Sequence, residues 1–417
     1  MTRLLAWLAG TLLLLVLAAG GLFLAALESQ PLVKRSETLS PLSIAQARGL
    51  LLRNDPRRLR PGQAGRMAIP AALIDDGINY AASRFLHGRG ALVLHARSAE
   101  IRLTLRAPLA GERFINLSAT LLEAEGEPRI SAAKIGPLSL PPFLVEMALG
   151  AGIRLAGYER EWQLARRAIR DLRFAPQHGV VLVAYVWEPA LLEHARSLAL
   201  NRDDLARLRS AHEMLAGQLD HRAAGSRVEL STVLATLLDV NGSDQLENRR
   251  AAIFVLAAYL SEKNLASILP EAANWPRARP VRLTLLGRID SAQHFVISAA
   301  LAAWAGEPLA DAIGLYKELS DSRHGSGFSF ADLAADRAGT IFGELLIKHP
   351  ARVDELLHSP FADAALTPAL ADFPGPMNER DFQQRFGSPG SPAYQQVLDE
   401  IDRRIFALPL YRGLEKP

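Results

Sequence analysis

The sequence predicts an α+β protein: an N-terminal transmembrane helix, an α+β domain built on a twisted antiparallel sheet plus helices, and a mostly α-helical C-terminal domain. Three observations predict it. Residues 4–27 carry no charge, hydrophobic residues alternate with period two between about 90 and 140, and apolar clusters at helical spacing dominate from about 200 onward. A chain of 417 residues suits two or three domains, and 49% hydrophobic with 22% charged residues marks a packed chain rather than a disordered one. The 47 basic and 44 acidic side chains leave a net charge of +3. That excludes a nucleic-acid binder working by bulk charge. With no cysteine, disulfides, thiolate zinc sites, iron–sulfur clusters and cysteine nucleophiles are excluded as well.

Leu4 to Leu27 is a run of 24 uncharged residues between Arg3 and Glu28. At about 1.5 Å per residue it is long enough for a hydrocarbon core of roughly 30 Å. A cleaved signal peptide is the alternative, but its apolar stretch is only about 7–15 residues long and ends at a small-x-small site. No clean site of that kind precedes Glu28. The expectation is a retained single-pass anchor over 1–27, with a short cytoplasmic N-terminus and everything after Leu27 exported. Lys34 and Arg35 lie on the far side of the span and argue weakly the other way. Arg48, Arg53, Arg57, Arg58 and Arg60, opposed by Asp55 and followed by Arg66, make residues 28–62 a basic juxtamembrane linker. It would either attract anionic headgroups or be a solvated face. Within it Ser43 would cap a short helix with Ile44, Ala47, Leu50 and Leu51 on one face.

Residues 63–190 form the α+β domain. Pro70 starts a helix in which Ile74, Ile78, Ala82 and Phe85 share a face. Alternation follows: Leu92, Leu94, Ile101, Leu103 and Leu105 point one way, and Arg102, Thr104 and Arg106 the other. Ile115, Leu117, Ala119 and Leu121 continue the pattern, then Ile130, Ala132, Ile135, Leu138 and Leu140 around Gly136-Pro137. After Pro141-Pro142 an apolar helix runs from Phe143 to Leu155, and a last strand from Val180 to Trp187. The run Phe114-Ile115-Asn116-Leu117, with Lys134-Ile135-Gly136-Pro137-Leu138-Ser139-Leu140-Pro141 and the apolar helix after it, resembles the YpmS-like extracytoplasmic domains. That resemblance implies a curved sheet against a long helix, with an apolar groove for a phospholipid or acyl chain. The same residues would equally fill a sheet–helix core. Arg154, Arg160, Arg166, Arg167, Arg170 and Arg173, interleaved with Tyr158 and Trp162, read as a solvated helix face touching lipid headgroups, since Glu159, Glu161 and Asp171 dilute an RNA-binding pattern.

Residues 191–417 read as the helical domain. Helices are expected from Asp203 or Asp204 through Gln218, from Ser231 with Val233, Leu234, Leu237 and Leu238 clustered, from Glu247 to Leu260, and from Ala393 to Phe406. A surface loop covers Glu271 to Arg282. Asp290 or Ser291 would cap a helix carrying His294, and Pro308 would start another ending near Lys317-Glu318 and Asp321. Ser329-Phe330-Ala331-Asp332 has the spacing of a capping box, Asp332 and Asp336 share a face, and Gly339 and Gly343 would let a neighbouring helix approach. Asp290, Gln293-His294-Phe295, Gly314, Lys317-Glu318, Asp321, Gly325-Ser326-Gly327-Phe328-Ser329, Asp332-Leu333, Asp336 and Gly339 together resemble the YfiM-like envelope lipoproteins over 290–344, and distantly the VanZ-like membrane proteins. The resemblance implies an envelope location and a three-helix unit, and no activity.

The candidate site follows from residue type. His294, Glu318, Asp321, Asp332 and Asp336 are the catalytic candidates, and His294, Glu318, Asp332 and Asp336 the metal-ligating ones, since one imidazole with several carboxylates suits zinc or manganese. Without a metal the acids need Lys317, Arg323 or Arg337 beside them. The alternative is a structural network: Asp332 a cap, Asp321 a turn residue, Glu318 paired with Arg323 and His294 bonded to a carboxylate. GxSxG, P-loop, dinucleotide and HExxH motifs are absent. The leading functional expectation is a lipid-handling or scaffold factor in cell-envelope maintenance, bound to the inner membrane through 4–27 and to no nucleic acid. A metal-dependent hydrolase of a lipid or cell-wall substrate is the alternative.

Overall fold

The structure, a computed structural model, describes residues 20–21, 24–35, 39–54, 59–107, 111, 113–126, 129–155, 157, 159–189, 202–240, 242, 244–261, 265–267, 269–305, 313 and 327–414. It is mixed α+β and divides into two compact units, Met1–Leu198 and Ala199–Pro417. Among the described residues no helix is long and apolar enough to cross a membrane. Residues 1–19, 22 and 23, most of the expected anchor, lie outside them; its expected end at Leu27 is corrected, because Ala26 and Leu27 are buried and Leu27 pairs with Ile115 in the first sheet.

In the first unit the elements run β1 (Leu27–Glu28), α1 (Pro41–Arg53), β2 (Ala64–Pro70), α2 (Ala71–Leu86), β3 (Gly88–Leu94), β4 (Ser98–Arg106), β5 (Phe114–Leu122), β6 (Ala124–Glu125), β7 (Arg129–Ile135), β8 (Leu138–Leu140), α3 (Pro142–Leu155), α4 (Glu159–Ala168), β9 (Ile169–Ala175) and β10 (Val180–Val186). One antiparallel sheet has the order β3-β4-β5-β7-β8, with β1 also on β5, and a second has the order β2-β10-β9-β6. Only Glu123 separates β5 from β6, so the chain passes from one sheet to the other at that residue. Its carboxylate accepts from the Phe174 N–H of β9 (2.9 Å) and so fixes the corner. Ala99, Phe174 and Val181 are the buried centre, with Ile74, Leu92, Leu94, Leu121, Leu172 and Val183 packed around them.

The alternating strands lie where the periodicity places them; three other expectations are corrected. Pro70 ends β2 rather than opening α2. Phe85, expected on the apolar face of α2, is 74% exposed. The arginine-rich stretch is not one helix: it turns at Ala168 into β9, where Ile169, Leu172 and Phe174 pair across to β10. Cross-strand pairing outweighs helical propensity here.

The expected linker 28–62 is tied to the sheet at its start. Thr104, expected on the face opposite Leu103 and Leu105, is buried beneath it. The Val33 N–H donates to Thr104 Oγ1 (2.9 Å), and the Leu32 N–H donates to Asn116 Oδ1 (3.0 Å). Asn116 Nδ2 in turn donates to Glu28 Oε2 (2.5 Å) and the Gln30 carbonyl (2.9 Å). Arg35 reaches over α2 to both Asp75 and Asp76 at 2.5 Å. Ser40, not Ser43, caps α1; the Ser43 hydroxyl donates to Asp76 Oδ2 (2.5 Å). Periodicity cannot register the bonds to Thr104, Asn116, Asp75 and Asp76, because each joins groups more than thirty residues apart in sequence.

Asp76 supplies a pH prediction. Burial pushes its carboxyl up, but the Ser43 hydroxyl, the Arg35 guanidinium and the Ser40 N–H outweigh burial and hold it below the ordinary value of 3.8. A group lowered on folding stabilises fully above its unfolded value and loses that contribution as pH falls through the folded one. Thermal stability is therefore expected to drop as pH is taken below 3.8, and Asp76→Asn should flatten that drop in melting curves recorded across the window.

In the second unit the elements are α5 (Arg202–Asp220), β11 (Arg227–Glu229), α6 (Leu230–Leu238), α7 (Gln245–Leu260), β12 (Arg282–Thr284), α8 (Ile289–Ala305), α9 (Phe330–Lys348), α10 (Pro350–Leu357), α11 (Glu379–Phe386) and α12 (Pro392–Ala407). They enclose one continuous apolar core. β11 and β12 pair in parallel, so the expected loop 271–282 ends in a strand. Asp363 accepts from the Ser231 N–H (2.9 Å) at the start of α6 and from the Leu286 N–H (2.8 Å) in the turn after β12. Phe328, Phe330, Phe382, Phe386 and Tyr394 form a ring cluster, with Phe328 stacked on Phe382 at 4.2 Å. It holds the start of α9 against α11 and α12.

Candidate functional site

The polar candidates meet where α8 crosses α9. Ser329 caps α9, its hydroxyl accepting from the Asp332 N–H (3.2 Å), as the capping spacing predicts. One turn later Asp336 points inward and is 6% exposed. The helices touch at two glycines: a Cβ on Gly339 would lie 2.1 Å from the Phe295 carbonyl oxygen, and one on Gly343 2.2 Å from that of Ala299. This close crossing sets Asp336 opposite His294 and Ser298 of α8. His294 Nδ1 donates to Asp336 Oδ2 (3.0 Å) and Ser298 Oγ to Asp336 Oδ1 (2.7 Å).

The geometry restricts the chemistry. In a nucleophilic triad the imidazole lies between hydroxyl and carboxylate and takes the hydroxyl proton. Here the carboxylate is in the middle, so the Ser298 proton points at Asp336, and His294 is on the other oxygen. Both donors are buried. This is the arrangement of an interhelical brace that satisfies a buried carboxylate.

The other candidates do not all join it. Asp332 turns to Arg288 Nη2 (3.4 Å), which also holds Asp290 (2.7 Å). Arg337, offered as a cation for the cluster, pairs with Asp402 of α12. Glu318 and Asp321, with Lys317 and Arg323, lie outside the described residues. Among the described residues no three His, Asp or Glu side chains group as a metal would require. Ser298 and Arg288 were missed; Ser298 lies one helical turn after His294 and that spacing was the available signal, whereas Arg288 precedes α8 and meets Asp332 from 44 residues away.

Asp336→Asn is expected to lower stability by about 1–3 kcal/mol, since one amide oxygen replaces two charged acceptors facing two donors. Ser298→Ala removes a single bond and should cost about 1 kcal/mol. Thermal unfolding of the two variants checks the order, and an Asp336→Asn chain as stable as wild type would contradict the brace.

A second feature lies in the first unit. α3 rests against β7, yet none of its residues is buried. Phe143 is 63% exposed, Met147 64%, Leu149 45% and Leu155 89%. Half-buried Leu144, Val145 and Ile153 form its other side. Among the described residues, the second unit exposes only Leu286 and Ile289 as large apolar side chains; all the others exposed are in the first. α4 follows, with Arg160, Arg166 and Arg167 exposed and Trp162 at 39%. No protein-family model, curated protein or solved structure matches the chain, so a functional reading rests on these two features.

Proposed function

We propose that the chain is a lipid-handling factor of the bacterial cell envelope, tethered to the inner membrane by the apolar run that begins at Leu4 and ends before β1, with its main part periplasmic, and that α3 is the surface that meets lipid. The observation carrying this reading is the apolar exposure of α3. Burying a large apolar side chain is worth roughly 1.5–3 kcal/mol, so four of them left in water on one short helix forgo several kcal/mol. A surface helix of a water-soluble unit normally turns such residues inward; contiguous apolar exposure marks an interaction surface. The exposed arginines of α4 beside it have the sign that anionic lipid attracts.

The absence of cysteine makes a clean test available. Met147→Cys, labelled with nitrobenzoxadiazole in the full chain reconstituted into vesicles, should show blue-shifted emission quenched by doxyl-labelled acyl chains. The same label at Gln177→Cys, in the polar turn between β9 and β10, should remain aqueous. An aqueous spectrum at both positions would overturn the reading.

A further inference from the structure

Resting on the reading that α3 meets lipid, we propose that α4 carries a headgroup site in which Arg160 and Arg167 together grip the phosphodiester of an anionic phospholipid at the bilayer surface. A shallow depression of about 440 Å³ runs along this helix, lined by Glu159, Arg160, Gln163, Leu164 and Arg167. Positions 160, 163, 164 and 167 recur at three- and four-residue spacing and therefore share one face. The two arginines are seven residues apart, about 10.5 Å along the axis, a separation that two extended guanidinium arms close from either side.

Neither guanidinium has a hydrogen-bond or ion-pair partner among the described residues. Some arginines elsewhere are committed, as Arg35 is to Asp75 and Asp76, Arg207 to Asp204 and Asp244, and Arg404 to Glu400 and Asp372. The one acid of the lining, Glu159, faces the Arg154 guanidinium at 3.8 Å. Two unanswered positive charges thus flank Gln163, whose amide adds a neutral donor, above half-buried Leu164. Guanidinium forks match phosphate oxygens in pairs, and a single phosphodiester charge is what two such forks with one amide donor accommodate.

The neighbouring helix decides between a lipid headgroup and free phosphate. α3 and α4 are in contact and joined through residues 156–158. A phosphodiester on α4 therefore lies next to the end of α3 that carries the exposed Leu155, where acyl chains would begin. Free phosphate needs no such apolar surface.

The test uses the full chain with the label at Met147→Cys, in vesicles of phosphatidylcholine alone or with added phosphatidylglycerol. Phosphatidylglycerol should favour the buried state of the label. Arg160→Gln and Arg167→Gln should each weaken that preference about fivefold, taking about 1 kcal/mol per arginine at an anionic surface, and leave phosphatidylcholine vesicles unaffected. Both side chains are exposed, so unchanged melting of the variants is the expected control. Sodium phosphate should displace the label no more than sodium chloride at matched ionic strength. Unchanged phosphatidylglycerol preference in the double variant would overturn the headgroup site while leaving the lipid-facing role of α3 standing. Stronger displacement by phosphate than by chloride would overturn it in favour of a free-phosphate site. A label that stays aqueous in both vesicle types would remove both the site and the reading beneath it.

Discussion

Gly339→Ala is expected to destabilise the second unit by about 2–4 kcal/mol, although alanine favours a helix over glycine by about 1 kcal/mol. The added Cβ would sit 2.1 Å from the carbonyl oxygen of Phe295, where no side-chain rotation relieves it. Either α8 and α9 separate or one of them bends. Separation would also pull His294 and Ser298 off Asp336, leaving a buried carboxylate short of donors. Gly217→Ala is the matched control: it is exposed on α5 with nothing within 4 Å of the new atom, and should be neutral or stabilising by up to about 1 kcal/mol. Denaturant melts of both variants read opposite signs from the same substitution. Equal effects would mean that the two helices do not touch at Gly339.

Asp354→Ala is expected to cost about 3 kcal/mol, and more than Arg249→Met. The Arg249 side chain on α7 is 1% exposed and donates to Asp354 (2.5 Å), to the Leu238 carbonyl at the end of α6 (3.0 Å) and to the Pro350 carbonyl (3.4 Å). Asp354, on α10, is itself 38% exposed. Removing the aspartate leaves a buried cation without its counter-charge, the costly way to break such a pair. Methionine removes the charge with the partner and keeps much of the volume. Its cost is confined to two weakened carbonyls, about 1–2 kcal/mol. Equilibrium unfolding should give Asp354→Ala the lower midpoint; the reverse order would place the stabilisation in packing rather than charge.

The parts of the fold that were legible in the sequence are those with a period. The strands β3, β4, β5 and β7 follow their alternation, and α6, α7 and α9 follow their apolar spacing, because burial on one face writes itself into every second or every third and fourth residue. Ser329 as a cap and Gly339 and Gly343 as a contact were likewise readable, since each is local to one helix. What escaped was non-local. β2 and β9 are strands only because β10 lies between them, and β11 becomes one through a partner more than fifty residues away. The strap over Thr104 depends on Asn116, a lone amide in an apolar strand. That amide was the one available hint.

The candidate site divides the same way. That Asp336 faces inward followed from the two glycines after it. That Ser298 shares it, that Arg288 takes Asp332 and that Arg337 belongs to Asp402 depend on how helices cross, which one-dimensional spacing does not encode. The exposure of α3 is a further case: its composition announces an apolar helix, but only the tertiary structure shows that nothing among the described residues of the first unit covers it.

The central claim, that α3 meets lipid, is tested most directly by photochemistry. The full chain is reconstituted with a phospholipid carrying a diazirine near the acyl terminus, irradiated, and its adducts are mapped by peptide. Lipid adducts are expected in residues 142–155 as well as in 4–27, and Phe143→Asp with Met147→Asp should abolish those in 142–155 while sparing those in 4–27. Both side chains are already more than half exposed, so the double variant should fold. Adducts confined to 4–27 in the wild-type chain would contradict the claim.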